Sequence, residues 1–298
     1  MKKIIEQKNN YPILGMDIGG TKIASAIGIN GELYHQKKVP TPSESSQEMV
    51  LQTIVEHISG YLSYDFKEIG IGSPGLVDTA QGIIYHLANI PSFKEVNLKS
   101  YLENIFEVPV HINNDANCFV LGEHQLAQQY QHLVGITLGT GIGAGIIANG
   151  KLYGGHQCGA GEWGGASYLN KTYEDYCSGK FFRKRSGLSS KELFKLAQDD
   201  DPLALAVFQE FGTHVGKLVN QIMFAYAPEA IVLGGSISKA FPFFKDSLRQ
   251  MIRTFPYKSI SNNLHVYVST TEDAAIYGAI SLVETRALTD ETVSEKRI

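Results

Sequence analysis

Candidate phosphate-binding and acid-base groups fall in three glycine turns and at one strand end. The first turn reads Asp17-Ile18-Gly19-Gly20-Thr21-Lys22, the second Leu138-Gly139-Thr140-Gly141-Ile142-Gly143. Each ends a short apolar run, at 13–17 and 134–138. Such a turn can aim several backbone N–H groups at one anion, because glycine lets the backbone approach and supplies unusual φ values. Asp17 would repel a phosphate directly. It can instead hold Mg²⁺ through water, and the metal then neutralises the phosphate. A third turn, Gly234-Gly235-Ser236, ends the apolar run 230–233. Ordinary β-hairpins would explain either of the first two alone. The three together point to nucleotide binding. Neither Gly-Thr turn is a GxxxxGK[ST] loop, and neither fits the dinucleotide fingerprint before a crossover helix.

Asp115 follows the apolar run 108–112 and two asparagines, Asn113-Asn114. Two roles fit that position. A carboxylate at a strand end beside a cleft can be a general base. An Asx residue ahead of a helix can equally be its cap. Trp163, the only tryptophan, could stack on a ligand ring or lie buried beneath its loop.

The elements that must position these groups are legible from apolar spacing and turn residues. Runs 13–17, 22–29 and 32–39 form an antiparallel meander with a turn at Asn30-Gly31. Residues 45–62 have helical spacing in Met49, Val50, Ile54, Ile58 and Leu62. A strand at 68–72 and a helix at 116–128 follow. The opening pattern then recurs: INGELY (29–34) is echoed by ANGKLY (148–153), each behind a Gly-Thr break. This internal repeat implies two related lobes. Helices are expected at about 203–225 and 272–286, with a strand at 230–233 between them. The last dozen residues read as frayed.

Composition sets the outer limits. The chain has 298 residues, 43% hydrophobic and 19% charged, with net charge -4. That length is near the size where one core divides into two. The charge gives no bulk attraction for nucleic acid or an anionic membrane. No stretch approaches the roughly 18 apolar residues of a membrane helix, and MKKIIEQKNN has no apolar region behind its lysines. Cys118, Cys158 and Cys177 are too scattered for a disulfide framework. The expectation is a cytoplasmic protein without nucleic-acid or membrane partners.

Several segments together resemble one family. DIGGTK (17–22), GSPGLVD (72–78), NNDAN (113–117), LGTGIGAGI (138–146), GAGEWGG (159–165), IVLGGSIS (231–238) and DAAIYGA (273–279) look like the ROK sugar kinases and repressors, in that family's order. The resemblance implies an α/β, two-lobed actin/hexokinase-like fold with a duplicated, RNase H-like five-stranded sheet. We expect an N-terminal lobe over 1–115 and a C-terminal lobe over 116–298, with the last helix returning to the first lobe. It implies ATP and Mg²⁺ as cofactors, a sugar substrate and a homodimer. Asp115 matches the general base. Asn89, Asn114, Glu162 and Glu174 match sugar contacts. Asp17, Gly19, Gly20, Thr21 and Lys22 match the first phosphate loop and Gly139, Thr140 and Gly141 the second. Gly234, Gly235 and Ser236 would lie against the adenosine.

The chain departs from the family at one place. The family's Glu-x-Gly-His is here Glu162-Trp163-Gly164-Gly165, and its cysteine-rich zinc run is replaced by ASYLNKTY (166–173). Ligand and metal are lost together, as a site needing about four donors would require. No zinc site is expected, His156, Cys158 and Cys177 being the alternative donors. Tyr168 and Leu169 would then hold that loop by packing. The activity implied is phosphorylation of the 6-hydroxyl of a hexose or N-acetylhexosamine. The alternatives are a non-catalytic sugar sensor and a ROK-type regulator. With 16 residues ahead of Asp17, too few for a helix-turn-helix module, the regulator is not the expected reading. Apolar residues along 203–226 fit either a dimer surface or a buried central helix.

Overall fold

Asn30-Gly31 and Asn149-Gly150 both take positive φ at successive positions, 53° and 80°, then 53° and 71°. That geometry matches the twist of paired antiparallel strands, and each pair closes a hairpin in one of two sheets. The computed structural model describes residues 10–87, 89–127 and 129–294. They divide into two units, the described parts of Met1–Leu126, Gly154–Gly159 and Asp273–Ile298, and those of Ala127–Tyr153 and Ala160–Glu272. Residues 1–9 and 295–298, part of the stretches read for targeting and fraying, lie outside the described residues.

The first unit opens with β1 (Ile13–Ile18), β2 (Lys22–Ile29) and β3 (Glu32–Pro40). Helix α1 (Gln47–Ser59) is capped by Ser46 and buries Val50, Ile54 and Ile58 of the expected stripe together with Leu51, whereas Met49 and Leu62, also expected in it, are exposed. Strand β4 (Glu68–Ser73), helix α2 (Leu98–Phe106), strand β5 (Val110–Asn114) and helix α3 (Asp115–Ala127) follow. The sheet order is β3-β2-β1-β4-β5. The meander is antiparallel, and β1, β4 and β5 run parallel. A small antiparallel sheet of Leu76–Asp78, Ile83–Tyr85 and Glu95–Asn97 between β4 and α2 was not foreseen. Its strands are too short to show a period.

The second unit repeats the design with β6 (Leu133–Leu138), β7 (Ile142–Ala148) and β8 (Lys151–Leu152). Then come α4 (Tyr173–Cys177), α5 (Gly179–Ser186), α6 (Ser190–Gln198), α7 (Pro202–Tyr226), β9 (Ala230–Gly234), α8 (Phe241–Ile252) and β10 (His265–Val268). The sheet order β8-β7-β6-β9-β10 is that of the first unit. A duplicated mixed five-stranded sheet is the expected actin/hexokinase-like class. Val207, Phe208, Phe211, Val215, Leu218, Val219, Ile222 and Met223 of α7 are buried in this unit's own core. Most of its apolar surplus is therefore that of a central helix.

Helix α9 (Ala274–Ser294) belongs to the first unit. A Cβ at Gly70 of β4 would fall on the Ala279 carbonyl, one at Gly122 of α3 on that of Ala274, and one at Gly278 of α9 on that of Cys118. Glycine at these points lets α9 lie in backbone contact with both elements. The first unit consequently extends past the expected boundary at 115 and includes α3.

Candidate active site

In the first unit Asp17, Gly72 and Asn113 stand in register across the parallel strands β1, β4 and β5. Their carboxyl ends share one edge, where open α/β sheets bind ligands. A Cβ at Gly72 would sit 3.2 Å from Cys118 Sγ and 3.6 Å from the Asp115 Cα. Side-chain bulk there would press on the start of α3. Cys118 itself is fully buried, a packing residue.

The cap of α3 is Asn114. Its Oδ1 accepts the Ala116 N–H at 2.9 Å and the Asn117 N–H at 3.3 Å, and its Nδ2 donates to the Gly75 carbonyl at 3.0 Å. The capping role open to Asp115 is thus filled one residue earlier. Asp115 stands at the first helical position, where its Oδ1 accepts the Ala116 N–H at 2.8 Å. Burial raises its pKa above the carboxylate norm, and the N–H groups of Ala116 and Asp115 oppose that rise. Asp17 is pushed up to about 7, first by burial, then by the charge of Asp115, against the pull of Lys22, with Asp273 adding to the rise.

The first turn is closed by the Gly19 N–H on the Lys22 carbonyl at 2.9 Å. Thr41 braces it: its Oγ1 donates to the Gly19 carbonyl at 2.6 Å and its N–H to the Thr21 carbonyl at 3.1 Å. Thr21 and Lys22 are exposed. A Cβ at Gly20 would stand 2.5 Å from the Asn89 Cβ, so Asn89 rests on this turn. Sequence reasoning missed Thr41 and Asp273. The signals were a threonine just past the strand pairing with Lys22, and an acid heading the last helix. Asp273 pairs with Lys38 at 3.4 Å.

The second unit brings its two glycine turns together. Gly234 is in register with Thr137 across the parallel strands β9 and β6. Gly235 takes φ 82°, and a Cβ there would collide with the Leu138 backbone. The Gly139–Gly141 and Gly234–Ser236 turns therefore adjoin. No heavy atom comes within 4 Å of a Cβ built at Gly139, so that face of the turn is open. The start of α5 ties to the same turn through the Gly179 N–H on the Gly139 carbonyl, at 2.8 Å. Glu174 lies against it too, with Oε2 facing Gly141 and accepting the Ile142 N–H at 3.4 Å. Its Oε1 takes Lys180 Nζ at 2.5 Å. Glu162 is exposed just ahead of the Trp163–Gly165 turn. Of the two readings of Trp163, the structure has packing against the unit's core, edge-on to Tyr226 at 6.4 Å.

The segment that departs from the family has its own packing. Tyr168 stacks on Tyr173 at 4.2 Å and meets Tyr176 edge-on, and its hydroxyl contacts His214 Nδ1 at 3.0 Å. Leu169 contributes nothing to it: with φ 51° at a turn, it is 65% exposed. Cys177 is buried in the second unit's core and Cys158 in the first unit's, where its thiol donates to Asn113 Oδ1 at 3.1 Å. Burial pushes the Cys177 thiol up. Among the described residues no three His, Cys, Asp or Glu side chains are placed to share a metal ion.

The chain is 27% identical over 312 residues to a glucokinase of Halalkalibacterium halodurans, covering 91% of this chain and 94% of that one. It is 30% identical over 269 residues to an N-acetyl-D-glucosamine kinase of Escherichia coli, covering 80% and 88%. Its structure superposes with TM-score 0.79 on a ROK family glucokinase from Streptomyces griseus in complex with glucose and AMPPNP, at 25% identity and covering 91% and 98%. The ROK family model matches residues 13–286. With both sheets, all three glycine turns and nearly the whole length accounted for, the chain belongs to the ROK family.

Proposed function

We propose that this chain is an ATP-dependent sugar kinase that phosphorylates the 6-hydroxyl of a hexose or N-acetylhexosamine, with glucose, N-acetylglucosamine and N-acetylmannosamine as the candidates. One observation carries the reading: Asp115 is a half-buried carboxylate relieved of capping duty, with its pKa raised above the carboxylate norm. Its Oδ2 is the atom to accept the sugar hydroxyl's proton as that oxygen attacks the γ-phosphorus. The Ala116 N–H on Oδ1 fixes the carboxylate's orientation. Asn89, Asn114, Glu162 and Glu174 are proposed to position the sugar. For Asn114 this falls to the second N–H of its amide, since Oδ1 caps α3.

The glycine turns offer backbone N–H groups to the phosphates, and Thr41 keeps the first in shape. Gly234, Gly235 and Ser236 would line the adenosine. Mg²⁺ fits the donor set around Asp17. The Asp115 carboxylate adds to the cost of ionising Asp17, and a divalent cation relieves it. Asp17 would hold the ion through water. When bound, the ion neutralises phosphate charge. We place the enzyme in the cytoplasm as a homodimer; no helix among the described residues is long and apolar enough to cross a membrane.

The sensor and regulator readings lack a use for a raised, uncapped carboxylate. ATP consumption across glucose, N-acetylglucosamine, N-acetylmannosamine, mannose and fructose tests the choice, with Asp115→Asn as the blank. Turnover on at least one sugar is expected. Sugar binding with no turnover on any of them would overturn the kinase reading in favour of a sensor.

A further inference from the structure

Away from the glycine turns, the second unit holds an open cleft of about 650 Å³ between the end of α8 and the edge strand β10. That volume lies within the range of small-ligand sites. Arg249 and Arg253 line it one helical turn apart, on the same face of the helix. Neither guanidinium has a carboxylate partner among the described residues, and no acidic side chain lines the cleft. Tyr130 and Tyr267 also line it, their rings stacked on each other at 6.3 Å and 29°. The Tyr130 hydroxyl contacts His265 Nδ1 at 3.0 Å, which holds that imidazole at the cleft wall. Ser261, also lining the cleft, is 9% exposed, and its hydroxyl has no hydrogen-bond partner among the described residues.

We infer that this cleft is a second binding site, separate from the glycine turns, for a small phosphate monoester carrying a ring. Two unpaired guanidiniums a turn apart match the charge and the several acceptor oxygens of a phosphate dianion. A lone anion would leave the tyrosine wall unused. A sugar or nucleobase ring attached to the phosphate would lie against it, as rings do on aromatic faces. The exposed His265 adds a polar group suited to a hydroxylated ligand. The inference rests on the cleft alone and does not require the kinase reading.

Direct binding to the full chain tests it, with the nucleotide site saturated by AMPPNP. The probes are glucose 6-phosphate, AMP and inorganic phosphate, read by calorimetry and by the His265 imidazole NMR signals, assigned with His265→Gln. Glucose 6-phosphate or AMP should bind more tightly than inorganic phosphate and shift the His265 signals. The tighter of the two identifies the source of the ester. Arg249→Ala with Arg253→Ala should weaken that binding at least about tenfold, while Asp115→Asn leaves it unchanged. Both arginines are exposed, so an unaltered thermal midpoint shows the double variant folded; Arg249→Lys with Arg253→Lys, which keeps the charge, should recover part of the affinity. Three outcomes would each overturn the inference: no probe binding at millimolar concentration, binding indifferent to the arginines, or inorganic phosphate binding as tightly as both esters.

Discussion

Because Asn114 caps α3, replacing Asp115 tests chemistry with little cost to the helix. Asp115→Asn should lower kcat by at least roughly 10²-fold, the usual scale for losing a general base, with KM for the sugar nearly unchanged. Its thermal midpoint should match or exceed that of the parent, since a half-buried charge is removed. An unaltered kcat would remove Asp115 from the mechanism. The raised pKa sets the sign of the pH dependence. A base must be ionised, so kcat/KM should fall on the acid side, with its midpoint above the ordinary carboxylate value of 3.8. Asp17 allows a stability measurement at the same scale. Its pKa is 3.8 as a reference and about 7 when folded, so the folded state binds the proton more tightly. Its contribution to stability is complete below about pH 4 and is lost as pH rises through 7. In Mg²⁺-free buffer Asp17→Asn should therefore be the more stable protein at pH 8, by about 1–3 kcal/mol once coupling to Asp115 is allowed for. The advantage should shrink towards pH 5, and urea titrations at the two pH values read it. A constant or inverted difference would contradict the assignment.

At the scale of elements, glycine does two different jobs here, and substitution separates them. Gly278→Ala would drive a methyl into the Cys118 carbonyl, where two helices meet backbone to backbone. It should cost about 2–4 kcal/mol, as overpacking at a rigid contact does. Gly165→Ala meets nothing within 4 Å and should stay within about 0.5 kcal/mol of the parent. Urea unfolding of the pair checks both. The 166–173 segment allows a parallel test. Tyr168 supplies a stacked ring and a bond to His214, so Tyr168→Phe should cost about 1 kcal/mol for the hydrogen bond. Tyr168→Ala should cost about 2–4 kcal/mol as the stack is also lost. Elemental analysis of the purified protein should find no stoichiometric zinc. One zinc per chain would refute packing as what holds this loop.

At the scale of the whole molecule, the proposed homodimer needs a surface that the cores leave over. Most of α7 is spent in its own unit, yet Phe224 near its end remains 55% exposed and meets Tyr257, 60% exposed, edge-on at 6.4 Å. Two-fold association is the commonest arrangement for such a patch. Light scattering at micromolar concentration should give twice the 32.7 kDa of one chain, and Phe224→Glu should shift it towards the monomer. A monomeric mass with full activity would defeat the dimer and leave the kinase reading intact.

The repeat, the meanders with their Asn-Gly turns, the ends of α7 to within a residue and the glycine turns are all legible in the chain's residue order. Each depends on neighbours a few residues apart, and periodicity and turn chemistry are local signals. The motif resemblance also supplied the candidate site residues. Tertiary structure alone decided the rest. Asn114 rather than Asp115 caps α3, because it is the Asn114 side chain that reaches the Ala116 and Asn117 amides. Thr41 braces a turn some twenty residues earlier in the chain because β3 ends beside it. Asp273 reaches the surroundings of Asp17, and α3 joins the first unit, because Gly70, Gly122 and Gly278 let α9 pack at backbone distance. Leu169, expected in the packing, sits at positive φ in the turn between the short strands Ser167–Tyr168 and Lys171–Thr172 and faces solvent. These outcomes depend on which distant segments meet, and the free energy of those contacts is not written in the spacing of neighbouring residues.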